Sequence, residues 1–198
     1  MSKYQVIAIM GKSASGKDTV AKETVKRHPD LFHFVVSSTT RPKREGEVHG
    51  EDYYFCSIET FTRKVLNGEM LEATEFRDWF YGTAIEALNP NKINVCVLNP
   101  AGISALLEDP RLDVEVIQVL AEDKTRLMRS LQREQCPDCA EICRRFFADE
   151  KDFAEVFQAW LLFNDEGTRR ECLDLLYPGN MLTDVIQDMA SRILIKYE

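Results

Sequence analysis

The stretch Gly11-Lys12-Ser13-Ala14-Ser15-Gly16-Lys17 constrains this chain more than any other. It follows the apolar run Gln5–Met10 and leads into Asp18–Val25, which has a helical pattern. Strand, glycine loop, Lys-x-Thr and helix compose a phosphate-binding loop, in which successive backbone N–H groups and a helix N-terminus surround an anion. The glycines matter because a Cβ would block both the loop conformation and the close approach of the anion. Lys17 would reach the β- and γ-phosphates of a nucleoside triphosphate. The candidate contacts are therefore Gly11, Ser13, Ala14, Ser15, Gly16, Lys17, Asp18 and Thr19. Asp18 stands where a Ser or Thr hydroxyl usually ligates Mg²⁺. Its carboxylate could serve instead, or Thr19 could, and Asp18 also suits the positive end of the helix dipole.

Such a loop belongs to a parallel sheet, and the rest of the chain supplies one. Apolar runs at Gln5–Met10, Phe32–Val36, Ile93–Leu98, Val114–Leu120 and Leu173–Tyr177 alternate with helical patterns at Lys17–Arg27, Ala101–Glu108, Asp123–Arg133, Ala140–Asn164 and Leu182–Tyr197. That alternation is the signature of an α/β fold with a parallel core sheet. Residues 37–92 break the rhythm with aromatics, charges and short β-like pieces at Tyr53–Cys56, Met70–Phe76 and Trp79–Gly82. A helix over Glu59–Asn67, stopped by Gly68, fits between them. The expected organisation is one domain: a core of 1–36, 93–128 and 146–198, an inserted lobe at 37–92, and a lid at 129–145 around the polar, Pro137-containing interruption.

Composition excludes several classes. The 198 residues are 44% hydrophobic and 29% charged, enough for an ordinary core and unlike a disordered chain. A net charge of −8 argues against broad nucleic-acid or anionic-membrane binding. No apolar run has the length of a membrane span, and no basic–apolar leader opens the chain, so a cytoplasmic location without membrane or nucleic-acid partners is expected. Cys136, Cys139 and Cys143 have a spacing that invites zinc, but no fourth ligand is near and Cys172 is distant; ordinary reduced thiols are the expectation. Oligomeric state is left open.

A second signal is Ser37-Ser38-Thr39-Thr40-Arg41-Pro42-Lys43-Arg44-Glu45-Gly46-Glu47, followed by Tyr53-Tyr54-Phe55. Arg41 and Arg44 with a tyrosine hydroxyl downstream could clamp a phosphate, because guanidinium donates in a rigid fork. A solvated basic turn is the plainer alternative. The order of phosphate loop, S-x-T-T-R-x-x-R-x-G-E and Y-x-F resembles the guanylate kinase family.

That resemblance implies a P-loop kinase fold, a three-layer sandwich, transferring phosphate from ATP with Mg²⁺ to GMP or dGMP. It implies that Ser37 and Thr83 meet guanine O6, Glu72 accepts from guanine N1–H and N2–H, and Arg41, Arg44, Tyr53 and Tyr81 hold the monophosphate. It implies that Arg129, Arg133 and Arg145 close on the triphosphate, with Lys17 and Arg41 completing the catalytic set. The family's D-x-D before the glycine at Gly102 reads Val97 and Asn99 here. With Asp18, this departure also resembles a ribose 1,5-bisphosphate phosphokinase, which lacks the full arginine signature and the guanine-reading glutamate. Another phosphorylated acceptor and a non-catalytic interaction module therefore remain alternatives.

Overall fold

The computed structural model describes residues 3–44, 46–76, 78–133, 136–153 and 160–163. Among them run, in chain order, β1 (Tyr4–Met10), α1 (Lys17–Arg27), β2 (Phe32–Phe34), β3 (Ser38–Thr39), β4 (Tyr54–Phe55), α2 (Ile58–Leu66), β5 (Met70–Phe76), β6 (Trp79–Ala84), a 3₁₀ turn (Ile85–Ala87), β7 (Ile93–Val97), α3 (Pro100–Glu108), β8 (Leu112–Leu120), α4 (Asp123–Gln132), α5 (Cys139–Asp152) and β9 (Trp160–Phe163).

A five-stranded sheet has the order β2-β7-β1-β8-β9, with β2 parallel to β7 and β8 parallel to β9. Val6 through Met10 are at most 1% exposed, so both faces of β1 are covered. That is why this strand reads as an unbroken apolar run rather than an alternating one. The residues form two compact units whose division falls within β1 and β8: Met1–Ala8 with His28–Glu115, and Ile9–Arg27 with the described residues from Val116 onward.

The first unit also carries a smaller sheet, β4-β3-β6-β5, in which β5 and β6 form an antiparallel pair with a register shift between Met70 and Glu72. The helix α2 starts on Ser57, whose hydroxyl accepts from the Thr60 N–H at 3.2 Å. Past its C-terminus Gly68 adopts φ +68°, the left-handed stop that glycine makes cheaply. Phe61 is the buried residue of α2 and stacks on Phe80 at 5.8 Å. Gly82 admits this closeness: a Cβ there would lie 2.7 Å from the Glu72 carbonyl and 2.9 Å from Phe61. The neighbouring Thr83 is thereby set opposite Glu72 in the β5–β6 register.

In the second unit, α1 begins with Asp18 and ends with Lys26 and Arg27, a charge order that suits the helix dipole. One sequence expectation fails here. A helix was expected over Ala140–Asn164, but α5 stops at Asp152 and Trp160–Phe163 is a strand paired with Ile117–Leu120. Trp160-Leu161-Leu162-Phe163 is a short apolar run that suits helix or strand equally by pattern, and the ladder along β8 decides. The expected strand Leu173–Tyr177 and helix Leu182–Tyr197 lie outside the described residues.

Candidate active site

The acceptor candidates fall in the first unit, and two clusters form among them. In one, Thr83 Oγ1 donates to Glu72 Oε1 at 2.8 Å, and Ser37 Oγ lies 3.0 Å from Thr83 Oγ1. Thr83 has a single hydroxyl proton and gives it to the carboxylate, so Ser37 is the donor to Thr83 in this arrangement. Glu72 is 6% exposed. Burial pushes its carboxyl up to about 7, with the Thr83 hydrogen bonds pulling the other way. Cys96, fully enclosed on β7, has its thiol pushed to about 12 by burial first and by the Glu72 charge second.

The first turn of α3 lies against this carboxylate. A Cβ on Gly102 would sit 3.3 Å from Glu72 Oε2 and 3.2 Å from Asn99 Oδ1. Asn99 caps α3, its Oδ1 accepting from the Gly102 N–H at 2.8 Å. Aspartate and asparagine cap equally well. Asn99 thus keeps the cap while removing a negative charge from the exposed helix start.

The other cluster is built on Arg41, 8% exposed at the end of β3. Its guanidinium grips Glu47 bidentately at 2.9 and 2.7 Å and donates to the Pro42 carbonyl at 2.8 Å. It also lies 5.5 Å from the Tyr53 ring centre and 5.6 Å from Phe55. Tyr53 and Tyr81 meet edge to face at 6.0 Å. Arg44 joins through its backbone N–H, 2.7 Å from Glu47 Oε2, while its side chain is exposed. The Arg41 hydrogen bond holds the Glu47 carboxyl below the usual range, and Glu47 in turn raises Arg41. Glu47 belongs to the arginine motif in the sequence, but the motif alone assigns it no part. A signal for it is present: an acid six residues after a phosphate-type arginine, across a glycine turn.

The donor candidates fall in the second unit. The loop from Gly11 to Lys17 turns through a Ser15 N–H to Lys12 carbonyl bond at 3.1 Å and joins α1 with Val20 N–H on the Gly16 carbonyl at 3.0 Å. Gly11 tolerates no side chain, since a Cβ would be 2.6 Å from both Ser15 Oγ and the Val119 carbonyl. Gly16 has φ +92° and Ala14 φ +59°. For Ala14 that left-handed conformation costs roughly 1–2 kcal/mol. Lys17 Nζ stands 3.4 Å from the exposed Asp18 carboxylate. Asp18 and the exposed Thr19 offer hard oxygen donors, the chemistry Mg²⁺ takes from a protein when phosphate oxygens supply the remainder.

The three candidate lid arginines are placed differently. Arg129 donates to the carbonyls of Ala14 and Ser15 at 3.4 and 3.3 Å. Arg133, just past α4, is exposed; Arg145 is bonded to Glu141 at 2.7 Å. Arg133 and Arg145 line one cavity with Ser13, Ala14, Ser130 and Phe146. The residues that hold the loop are not evident in the sequence. Arg126, 1% exposed, donates to the Ser13 carbonyl, and Asp149 accepts from the Ser13 N–H. Arg126 and Asp149 lie 113 and 136 positions from Ser13 in sequence, so local pattern carries no trace of either contact. Cys136, Cys139 and Cys143 are exposed, and among the described residues no group of three or more His, Cys, Asp or Glu has metal-binding proximity. Among the described residues no helix is long and apolar enough to cross a membrane.

Comparison with known proteins shows what the chain as a whole is similar to. A family model described as guanylate kinase matches residues 3–168. The guanylate kinase of Helicobacter hepaticus is 31% identical over 173 residues, covering 85% of this chain and 86% of that protein. That of Nostoc sp. is 45% identical over 84 residues, where the match spans 42% of each protein. The crystal structure of guanylate kinase from Anaplasma phagocytophilum superposes with a TM-score of 0.58 at 25% identity, covering 89% of this chain and 84% of that one.

Proposed function

This chain belongs to the guanylate kinase family, and from that premise we propose that it moves the γ-phosphoryl group of ATP onto GMP or dGMP. The observation that carries the reading is the hydrogen-bonded chain Ser37–Thr83–Glu72, whose Thr83 and Glu72 are buried. A carboxylate enclosed to this degree must find donors or bear a desolvation penalty. Guanine offers N1–H and N2–H₂ as paired donors, and its O6 matches the hydroxyls beside the carboxylate. Adenine presents an acceptor and a C–H at the same places. A ribose bisphosphate offers only sugar hydroxyls, without the paired N–H donors of guanine's Watson–Crick edge.

Arg41, Arg44, Tyr53 and Tyr81 hold the acceptor's phosphate in this reading, with Glu47 holding Arg41 in its fork. Two anions repel, and Arg41 offsets part of that charge while aiming an acceptor oxygen at the γ-phosphorus. On the donor side, backbone N–H groups of Gly11–Lys17 and the N-terminus of α1 hold the triphosphate, and Lys17 reaches its β- and γ-oxygens. Asp18 and Thr19 are the residues that would hold Mg²⁺, which neutralises phosphate charge. Arg129, Arg133 and Arg145 complete the charge stabilisation from residues 129–145, which act as a lid over the nucleotide; residues 37–92 form the acceptor lobe. An intact loop, with Gly11, Gly16, Lys17 and Thr19 all present, favours an enzyme over an interaction module.

The test is ADP release measured with GMP, dGMP, AMP, CMP, UMP and ribose 1,5-bisphosphate as acceptors. GMP or dGMP should exceed AMP in kcat/KM by ~10⁴-fold, the discrimination a hydrogen-bonding site exerts against an analogue lacking the partner groups. Comparable turnover of AMP, or preferred turnover of ribose 1,5-bisphosphate, overturns the guanine reading.

A further inference from the structure

A backbone loop that binds an anion has to keep its N–H groups aimed inward before the anion arrives. In this chain one residue of the loop is held at both of its backbone polar groups. The Ser13 N–H donates to Asp149 Oδ2 at 2.8 Å, and the Ser13 hydroxyl donates to Asp149 Oδ1 at 3.1 Å. The Ser13 carbonyl accepts from Arg126 Nε at 2.9 Å. Arg126 and Asp149 are themselves joined, Nη2 to Oδ2. Arg126 further pairs with Asp123 at 2.6 Å, and its guanidinium lies 4.4 Å over the Phe146 ring. The next residue of α5, Glu150, pairs with Lys12. Helices α4 and α5 thus grip the first half of the loop from two sides.

The grip sits beside the loop's strained position. Ala14 follows Ser13 directly and has φ +59°, a conformation glycine adopts freely and alanine seldom does. Such a conformation persists only where its surroundings over-determine it. Left alone, a loop with alanine here would spend most of its time with the Ala14 peptide turned otherwise, and the N–H groups after it misdirected. Ion pairs buried to this extent add little net stability, since desolvating the charges offsets their attraction; what they supply is one defined geometry. Arg126 has no exposed surface to offer a ligand, and its three donor groups all face the loop, Asp123 and Asp149.

We infer that Asp149 and Arg126 are positioning residues that clamp Ser13 and so impose the phosphate-binding conformation on a loop carrying alanine at a left-handed position. The inference rests on the proposed nucleoside-triphosphate binding by this loop. It adds two residues that touch no nucleotide in that reading and act through Ser13. It also ties loop geometry to α5, the helix that carries Arg145, so the loop and that arginine share one support.

The test uses the full chain with Asp149→Ala, Asp149→Asn, Ala14→Gly and the double variant Ala14→Gly/Asp149→Ala. ATP and GMP binding are measured by calorimetry, thermal midpoints alongside, and amide exchange over Ser13–Gly16 without nucleotide. Asp149→Ala should weaken ATP by roughly 10- to 100-fold, the range over which supporting hydrogen-bond partners of a bound group act, while GMP changes less than about twofold. Asp149→Asn keeps an acceptor for the Ser13 N–H and should recover most of the ATP affinity. Ala14→Gly alone is the reference against which the double variant is read. In the Asp149→Ala background it should restore ATP binding at least about threefold, because glycine reaches the left-handed state unaided. Loop amides should exchange faster in Asp149→Ala.

Unchanged ATP binding in a folded Asp149→Ala protein overturns the inference. So does equal loss of ATP and GMP binding with no suppression by Ala14→Gly, which would mark general destabilisation. If Asp149→Ala does not fold, Arg126→Met, which removes the donor to the Ser13 carbonyl, against Ala14→Gly/Arg126→Met decides by the same suppression. If the wild-type protein binds no ATP, the nucleotide reading fails. Exchange at Ser13–Gly16 then still decides the clamp: unchanged protection in Asp149→Ala overturns it, and lost protection supports it.

Discussion

The acceptor cluster and the phosphate loop handle charge by opposite means. In the proposed acceptor site side chains would do the reading, and Glu72 and Arg41 are both buried and already bonded to a protein partner. In the loop, backbone would be the binding surface, and the buried charges of Arg126 and Asp149 are bonded to the loop at Ser13. Arg133 and Arg145, which line a cavity with Ser13 and Ala14, are exposed and half-buried respectively. The contrast follows the proposed chemistry. A base keeps its donors and acceptors throughout the reaction, so rigid groups can read it. A transferring phosphoryl group changes charge distribution, and long arginines that can follow it suit that task better.

If that contrast is correct, variants on the two sides should fail in different kinetic constants. The largest effect is expected for Lys17→Ala, with turnover falling by ~10²–10³-fold or more and GMP affinity by calorimetry nearly unmoved. Full turnover in this variant would break the donor side of the comparison. Arg133→Ala should lower kcat by ~10²-fold. A change confined to the GMP KM would place Arg133 with the acceptor and blur the distinction.

Glu72→Gln addresses the other side. It turns one acceptor into a donor facing guanine's own donors, so kcat/KM for GMP should drop by ~10²-fold while the ATP KM stays within about twofold. Steady-state kinetics varying each substrate in turn separates the two.

A pH series sharpens the same point. The Glu72 carboxyl is raised from 4.5 to about 7 in the folded, ligand-free protein. A raised acid favours the fold when protonated. Its contribution is complete below the unfolded value near 4.3 and is lost as pH climbs toward about 7. Ligand-free stability should therefore decline across that window by up to roughly 4 kcal/mol, at 1.36 kcal/mol for each pH unit between the two values. GMP asks for the opposite state: its two donors need the ionised carboxylate, so kcat/KM for GMP should fall as pH drops below about 7. Denaturation and kinetics on wild type and Glu72→Gln would show both trends, and their persistence in the variant would assign them to another group.

The smallest effect is expected at Asn99. Losing the cap in Asn99→Ala should cost about 1 kcal/mol, read as a lowered Tm. Asn99→Asp keeps the cap and should leave Tm nearly unchanged. A large Tm loss in Asn99→Asp would mean that the amide, rather than its oxygen, holds the start of α3.

Much of the fold and part of the site are legible in the amino-acid sequence. The loop's position between β1 and α1, the bounds of β5 and the whole of α1 follow from local pattern, because hydrogen bonds within a helix or along a glycine turn join near neighbours. The arginine signature carries Arg41 and Tyr53, the family resemblance adds Tyr81, and the structure brings the three together. The end of α5 is not legible in this way, because an apolar run of four residues has no period of its own until a strand edge is present to pair with it.

What the chain determined alone was chemistry and local form: a strand–loop–helix of the phosphate-binding pattern and arginines in phosphate-like spacing, while the proposed match of Glu72, Ser37 and Thr83 to guanine came from the family resemblance. Tertiary structure decided which of those groups became buried and what faced them. Glu72 became a raised acid only because β5, β6 and α3 enclose it. Ala14 reached a left-handed conformation in a loop that Asp149 and Arg126 grip from far along the chain. The physical reason is separation: desolvation and long-range hydrogen bonds depend on which surfaces meet, and a linear pattern records only the groups each surface will bring.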